Sequence, residues 1–335
     1  MSKTFIPRGY RSSLSLYDTQ LGIGFIKRIF EDNLSGALHL RRVSAPLVVD
    51  PSTGINDDLS GVERPVSFDL KDSEKMGSVV QSLAKWKRMA LWRYGYQPGE
   101  GIYADMNAIR RDEELDNIHS IYVDQWDWEK VITEEQRTLE YLENTVRDIV
   151  RAIVATNYAL RCKFPSIKME IDENLSIVTS QQLEDLWPDK SSKEREYLWV
   201  KDHHTTLIEQ IGGALKSGKS HDGRAPDYDD WQLNGDILIW DELLDMPIEI
   251  SSMGIRVSPE SLDRQLSLSG CDNRRKYEFH RLLLEGKLPL TMGGGIGQSR
   301  LCLILLEKAH IGEVQSSIWN DETVNTCTAA GIELL

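Results

Sequence analysis

Gly293-Gly294-Gly295-Ile296-Gly297-Gln298-Ser299-Arg300 is the most informative stretch of the chain. Thr291 and Met292 precede it, and an apolar run over residues 301–306 predicts a helix directly after it. Glycines let a backbone approach a flat ligand closely. Arginine offers a planar fork for phosphate oxygens and a face that stacks on a base. On its own, such a stretch is more often a turn than a site, and a lone exposed arginine is usually solvated surface. A second arginine site lies upstream, where Arg110 and Arg111 follow the strand-like Gly101-Ile102-Tyr103-Ala104-Asp105-Met106-Asn107-Ala108-Ile109 and precede the acidic Asp112-Glu113-Glu114.

The elements around these sites are readable by period. A helix is expected over 16–30, with Tyr17, Leu21, Phe25 and Ile29 on one stripe. Strands are expected over 43–49, 65–70, 78–83 and 118–126, then over 207–211, 236–240 and 248–257. Thr133-Glu134-Glu135-Gln136 has a capping-box pattern and is expected to open a long helix through Leu139, Leu142, Val146, Ile149 and Ile153. Ser258-Pro259 caps another helix, and a further one covers 274–285 and stops at Gly286. Strands with interspersed helices and no strict alternation predict an α+β fold with a mostly antiparallel sheet. No repeat or low-complexity linker divides the chain, so residues 1–335 are expected to form a single catalytic domain.

The totals narrow the class. The 335 residues are 40% hydrophobic and 27% charged, as in globular proteins. No apolar run reaches the roughly 20 residues that span a bilayer, and the first residues lack a signal-peptide pattern. Cys162, Cys271, Cys302 and Cys327 form no C-x-x-C pair, so no zinc knuckle or redox motif is expected and a reducing cytoplasm suits them. A net charge of −14 weighs against a nucleic-acid partner. Lys85, Lys87 and Arg88 make a local basic cluster that equally reads as one helix face.

Gly213-Ala214-Leu215-Lys216-Ser217-Gly218-Lys219-Ser220 matches a P-loop pattern after a strand. A P-loop needs a helix N-terminus at its Lys-Ser. The chain instead continues His221-Asp222-Gly223-Arg224-Ala225-Pro226-Asp227, dense in helix breakers, so a polar loop is expected.

Together the two arginine sites resemble motifs of class II aminoacyl-tRNA synthetases. The resemblance sharpens with Ser82-Leu83-Ala84-Lys85-Trp86-Lys87-Arg88, Tyr122-Val123-Asp124-Gln125-Trp126-Asp127-Trp128-Glu129 and Arg224-Ala225-Pro226-Asp227-Tyr228-Asp229-Asp230-Trp231. Leu233-Asn234-Gly235-Asp236-Ile237-Leu238 and Ser251-Ser252-Met253-Gly254-Ile255-Arg256-Val257 continue it. These ordered blocks resemble the ammonia-dependent asparagine synthetase family, also called aspartate–ammonia ligase. The resemblance implies a class II synthetase-like core, a homodimer, and conversion of L-aspartate, ATP and ammonia to asparagine, AMP and pyrophosphate through a β-aspartyl-adenylate.

By that resemblance, Arg110 bridges the α-phosphate and the attacking carboxylate. Arg300 stacks on adenine or holds the terminal phosphate, beside Gly293, Gly294 and Gly295. Asp236 and Glu249 hold Mg²⁺ with the phosphates, with Ser252 nearby; from the residues alone they read more readily as the polar face of a hairpin. For aspartate, Asp57 and Asp229 are assigned to the ammonium and Ser82 and Lys87 to the α-carboxylate. Gln125 and Asp127 belong at the side-chain end, where Asp127 takes the proton from ammonium. Trp126 and Trp128 are expected in the core, and the adjacent His203 and His204 on the surface. The segment between Trp231 and Leu233 is shorter than in the family. Residues 1–15 are an N-terminal extension without an assigned role.

Other readings leave marks that this sequence lacks. A tRNA synthetase of this class is expected to carry an anticodon-reading domain, and none precedes the first helix. A glutamine-using synthetase exposes an N-terminal cysteine, whereas this chain starts Met1-Ser2. A non-catalytic relative that binds aspartate or ATP is not distinguished by sequence.

Overall fold

The computed structural model describes residues 4–56, 59 and 63–335. The chain begins with α1 (Leu16–Leu38), β1 (Leu40–Arg42), β2 (Val48–Val49), β3 (Ser67–Leu70), β4 (Ser73–Val79), α2 (Ala84–Tyr94), β5 (Gly101–Ile109) and β6 (Tyr122–Val131). It continues with α3 (Leu139–Lys163), β7 (Leu175–Thr179), α4 (Ser180–Leu186), α5 (Ser192–His203), β8 (Thr205–Glu209), β9 (Asp229–Asp241) and β10 (Met246–Arg256). The last elements are α6 (Pro259–Leu268), α7 (Glu278–Leu284), β11 (Thr291–Gly297), α8 (Gln298–Leu305) and α9 (Asp321–Ala329).

Eight strands form one sheet in the order β1-β5-β6-β11-β10-β9-β8-β7, and β2-β4-β3 form a small second sheet. The expectation of a mostly antiparallel sheet is corrected here: the large sheet is mixed. At both edges the outer strand runs parallel to its neighbour, β1 with β5 and β7 with β8, around an antiparallel centre. Parallel neighbours need a long crossover that returns the chain to the same end. Helices α4 and α5 make one crossover, and the segment containing α2 makes the other. The first of these lay in a stretch where no element was expected from periodicity.

One face of the sheet packs on α1, α3 and α8. Trp126 and Trp128 point there from β6, Phe30 of α1 meets Trp126 with ring centroids 4.7 Å apart, and both tryptophans are buried. The period-2 alternation of β6 therefore sends Gln125, Asp127 and Glu129 to the other face. The α1 stripe is shifted from the expected one. Gly22, Ile26, Phe30, Leu34 and Leu38 are buried, while Tyr17 is 73% exposed and Leu21 45%. Gly22 sits under Leu306, where a side chain would crowd Leu306 Cδ2 at 2.8 Å.

The Thr133–Gln136 box exists, with Thr133 N–H donating to Gln136 Oε1 at 2.9 Å, but it closes a single 3-10 turn. The long helix starts three residues later, where Thr138 accepts from Tyr141 N–H. Ser258 and Pro259 open α6 as expected. The P-loop look-alike is a tight hairpin. Ala214 bridges Ser220, Lys216 reaches Asp185, and the Ser217 hydroxyl donates to Glu184.

Three cations of α2 turn inward rather than forming a solvated face. Lys85, Lys87 and Arg88 are all buried. Arg88 donates to the carbonyls of Val257 and Pro289 at 2.7 and 2.9 Å. Lys85 meets Asp227, whose Oδ2 also takes Arg274 at 2.9 Å and His280 at 2.9 Å. Asp227 thus ties α2, α7 and the turn before α7 to the start of β9. Asp227→Asn leaves buried cations without their counter-charge, a loss on the order of 3–5 kcal/mol. Urea unfolding followed by tryptophan fluorescence is expected to show that loss, while nucleotide binding to the folded fraction stays intact.

Candidate active site

The glycine stretch is strand β11, held between β6 and β10. Gly293, Gly295 and Gly297 lie opposite Glu129, Asp127 and Gln125 on β6. Gly293 and Gly295 lie opposite Gly254 and Ser252 on β10, and Ser252 in turn faces Asp236 on β9. A β-bulge between Glu249 and Ser251 shifts the β10 register, so that Glu249 and Ser252 look out on the same side.

The need for glycine here is steric and local. A Cβ at Gly293 would strike the Glu129 carboxylate and Arg256, and one at Gly295 would strike the Gln125 amide, with its Cδ 2.8 Å away. Gly294 faces the core against Met253 and offers its carbonyl to Lys87 at 3.2 Å.

Under the glycines runs a buried network of charge. Arg256 donates to Glu129 through Nε at 3.0 Å and Nη2 at 2.7 Å, and through Nη1 to Asp229. Thr291 adds its hydroxyl to Glu129 at 2.7 Å. Lys87 binds Asp127 and the Trp128 carbonyl at 2.8 Å, with Glu129 3.8 Å away. Three carboxylates face two cations, so the network carries one uncompensated negative charge.

Burial pulls the Lys87 ammonium down to about 7, against the pull of Glu129. Burial pushes Glu129 up, but Arg256 and Lys87 hold it below its usual range. For Asp229 burial outweighs Arg256, and its carboxyl is raised. The functional groups missed in the sequence are Glu129, Arg256 and Arg224. Each stood inside a quoted block, but its significance comes from a cross-strand partner far away in sequence.

Above the network lie three connected cavities. One of about 80 Å³ is lined by Ser82, Lys87, Gln125, Asp127, Asp229 and Arg256, among others. A second, of about 120 Å³, lies between Arg300, Ile118, Tyr122, Ile250 and Gln315. The third, of about 360 Å³, is bounded by Arg224, Asp222, Glu63, Asp112 and Tyr228. Arg110 and Ser252 border all three. Arg110 stands at the end of β5, its backbone N–H held by the Ile121 carbonyl at 2.8 Å, and its Nε is buried without a partner among the described residues. Arg300 donates to the Glu249 carbonyl at 3.0 Å, which fixes its plane.

The structure brings together Arg110, Gln125, Asp127, Ser82, Lys87, Asp229, Ser252, Gly295, Arg300 and Glu249. Gly293 serves the buried pair below them. Asp57 lies outside the described residues.

Glu249 and Arg224 line the roomiest of the three cavities, and Asp236 lies behind them within reach of both charges. Arg224 takes one oxygen of Asp236, and the other, Oδ1, is buried without a partner among the described residues. Burial pushes the Asp236 carboxyl up to about 6, Arg224 pulls against it, and Glu249 pushes further up. Glu249 is raised by burial but brought below its usual range by Arg300 and Arg224. Among the described residues no cluster of three or more His, Cys, Asp and Glu can cage a metal. Two carboxylates and a hydroxyl suit a hard cation that takes its remaining ligands from phosphate and water.

A family model described as "Aspartate-ammonia ligase" matches residues 17–331. The chain belongs to the aspartate–ammonia ligase family. An aspartate–ammonia ligase of Clostridium perfringens is 55% identical over 336 residues, covering 100% of both chains. One from Lactobacillus acidophilus is 54% identical over 337 residues, covering 99% of this chain and 100% of the relative.

Among solved structures, the asparaginyl-tRNA synthetase of Entamoeba histolytica in complex with asparaginyl-adenylate superimposes with a TM-score of 0.63 at 14% identity. The match covers 90% of this chain and 66% of that one. The asparaginyl-tRNA synthetase of Pyrococcus horikoshii, also complexed with asparaginyl-adenylate, gives 0.61 at 16% identity over 88% and 68%. What this ligase-family chain shares with them is the class II synthetase fold.

The glycines of β11 make two different expectations. Gly293→Ala presses on a buried ion pair that has no room to move, and overpacking of that kind costs roughly 1–3 kcal/mol. Gly295→Ala meets only the movable end of Gln125. Denaturant titration is expected to show the loss for Gly293→Ala and near-native stability for Gly295→Ala, with the latter weakening aspartate binding instead.

Proposed function

We propose that this chain is an aspartate–ammonia ligase that makes L-asparagine from L-aspartate, ATP and ammonia, with residues 1–335 acting as one catalytic domain. The observation that carries the reading is the position of Arg110, in the wall shared by three cavities, one over Ser82, Lys87, Asp127 and Asp229, one beside Arg300 and one beside Arg224.

A carboxylate is a poor acyl electrophile because it is anionic and would have to expel oxide. In the first step a β-carboxylate oxygen of aspartate attacks the α-phosphorus of ATP and pyrophosphate leaves. In the second step the ammonia nitrogen attacks the acyl carbon and AMP leaves. No enzyme nucleophile is needed, so the protein acts by positioning and charge stabilisation.

Arg110 spans the α-phosphate and the attacking carboxylate. Arg300 lies on the adenine. The uncompensated negative charge of the buried network receives the substrate ammonium at Asp229. Ser82 hydrogen-bonds the α-carboxylate. The Lys87 ammonium, already bound to Asp127 and two carbonyls, attracts that carboxylate by its field. Gln125 and Asp127 face the side-chain end, where Asp127 takes the proton that ammonium loses. Asp236 and Glu249, with Ser252, hold Mg²⁺, which when bound neutralises phosphate charge. Gly294 and Gly295 leave the floor of the cleft open.

No helix among the described residues is long and apolar enough to cross a membrane, and the four cysteines are free. We place the enzyme in the cytoplasm. The resemblance implies a homodimer, and the exposed Leu16, Tyr17 and Leu21 of α1 offer an apolar strip for a second copy.

Incubation with ATP, Mg²⁺, aspartate and ammonium chloride is expected to yield asparagine, AMP and pyrophosphate, with glutamine inert. Folded protein that binds ATP but makes no asparagine would sink the assignment. Arg110→Ala is expected to lower turnover by about 100- to 1000-fold.

The pH dependence has a definite sign. A carboxyl raised to about 6 must ionise to hold a cation, so affinity for Mg–ATP is expected to fall as pH drops through about 6. Titration of Mg–ATP binding from pH 5 to 8 checks it, and Asp236→Asn is expected to flatten that dependence.

A further inference from the structure

The aliphatic and arginine-walled lobe of about 120 Å³ has a polar floor that the reading above does not use. Gln315, 4% exposed, lies there beside Asp124 and Ser299. Its Nε2 donates to Asp124 Oδ1 at 3.3 Å and to Ser299 Oγ at 3.0 Å. Asp124 Oδ1 also accepts the Ser299 N–H at 3.1 Å, and its Oδ2 takes the Lys27 ammonium at 3.2 Å.

Asp124 is therefore a carboxylate surrounded by donors, and the amide atom against it must be the NH₂. A flipped amide would set oxygen against oxygen. Both amide protons are spent on that side. The remaining atom, Oε1, is a buried acceptor with no partner among the described residues. A buried carbonyl oxygen without a donor is costly, so a group that arrives with the ligand is the natural partner.

We propose that Gln315 is a specificity residue for the nucleobase: its Oε1 accepts a hydrogen bond from the exocyclic amine of adenine. The proposal rests on the nucleotide reading of this lobe, where Arg300 is fixed by the carbonyls of Glu249 and Ile118. A purine with a carbonyl at the same position, as in hypoxanthine or guanine, brings a second acceptor to Oε1 and is repelled. A purine with hydrogen there leaves Oε1 unpaired.

The test is equilibrium binding of three nucleotides to the full chain by calorimetry: ATP, purine riboside 5′-triphosphate and inosine 5′-triphosphate. Loss of one hydrogen bond is expected to weaken purine riboside triphosphate about tenfold relative to ATP, with inosine triphosphate weaker still. In Gln315→Met, ATP is expected to weaken about tenfold while the ratio of ATP to purine riboside triphosphate collapses towards one. A structural role alone would weaken both nucleotides equally and keep the ratio.

Equal binding of ATP and purine riboside triphosphate by the native chain overturns the proposal, as does a ratio unchanged in the variant. If the variant does not fold, the native series alone decides. Asparagine formation is measured on the same preparation. Base preference without asparagine formation removes the ligase reading and leaves Gln315 in place; asparagine formation without base preference does the reverse.

Discussion

Arg256 is the constraint on which the centre of the molecule depends. It sits at the end of β10, 3% exposed, and satisfies Glu129 from β6 and Asp229 from β9 at once. Strand β11 lies between β6 and β10, and only a strand without a side chain at position 293 allows the guanidinium and carboxylate to meet across it. A buried ion pair gains nothing over packed hydrocarbon unless its geometry is good and every lone pair is engaged. Here Thr291 and Lys87 complete the shell of Glu129. The arrangement is better explained as a fixed electrostatic floor than as a source of stability.

That floor sorts charge across the cleft. The lobe over Lys87, Asp127 and Asp229 sits on the excess carboxylate of the network, while the lobe beside Arg224 sets that guanidinium among Glu63, Asp112, Asp222 and Glu249, and the lobe beside Arg300 sets its guanidinium against Glu249. Arg110 stands at the seam with a buried donor unused. A reaction that joins a carboxylate to a phosphorus atom needs two anions held together, and a cation at the seam is the simplest way to do it. Preorganised charge of this kind costs no reorganisation when the reaction occurs.

Much of this was legible in the sequence, and the failures have physical causes. Trp126 and Trp128 were readable as core because they alternate with polar residues on one strand, a local signal. The Ser258-Pro259 helix start was readable for the same reason. The stripe of α1 was off by about one residue because apolar residues occur on two faces, and only packing under Leu306 and Trp126 selects one. The parallel edges were missed because α4 and α5 carry little apolar periodicity, and strand direction depends on what the crossover does. For Lys85, Lys87 and Arg88 the sequence left a basic helix face open beside a place for Lys87 in the site; their burial depends on Asp227, Asp127, Glu129 and two carbonyls, all distant in sequence.

The same contrast separates the proposed nucleotide cleft from the P-loop look-alike. A P-loop holds phosphate with backbone N–H groups at a helix N-terminus. At 213–220 the chain folds back on itself: Ser220 of the would-be Lys219-Ser220 pair bridges Ala214, and Lys216 and Ser217 are spent on Asp185 and Glu184, so no helix N-terminus faces an anion there. In the cleft the groups proposed to face the nucleotide are side chains, and each is already aimed by a partner: Arg300 of α8 by the Glu249 carbonyl, Arg224 by Asp236. Asp236 shows how this aiming is balanced. One of its oxygens holds Arg224 while the other is buried beside Glu249 without a partner among the described residues, so under the proposed reading this carboxylate would serve the guanidinium and a divalent cation at once, the cation supplying charge neutralisation of the phosphates.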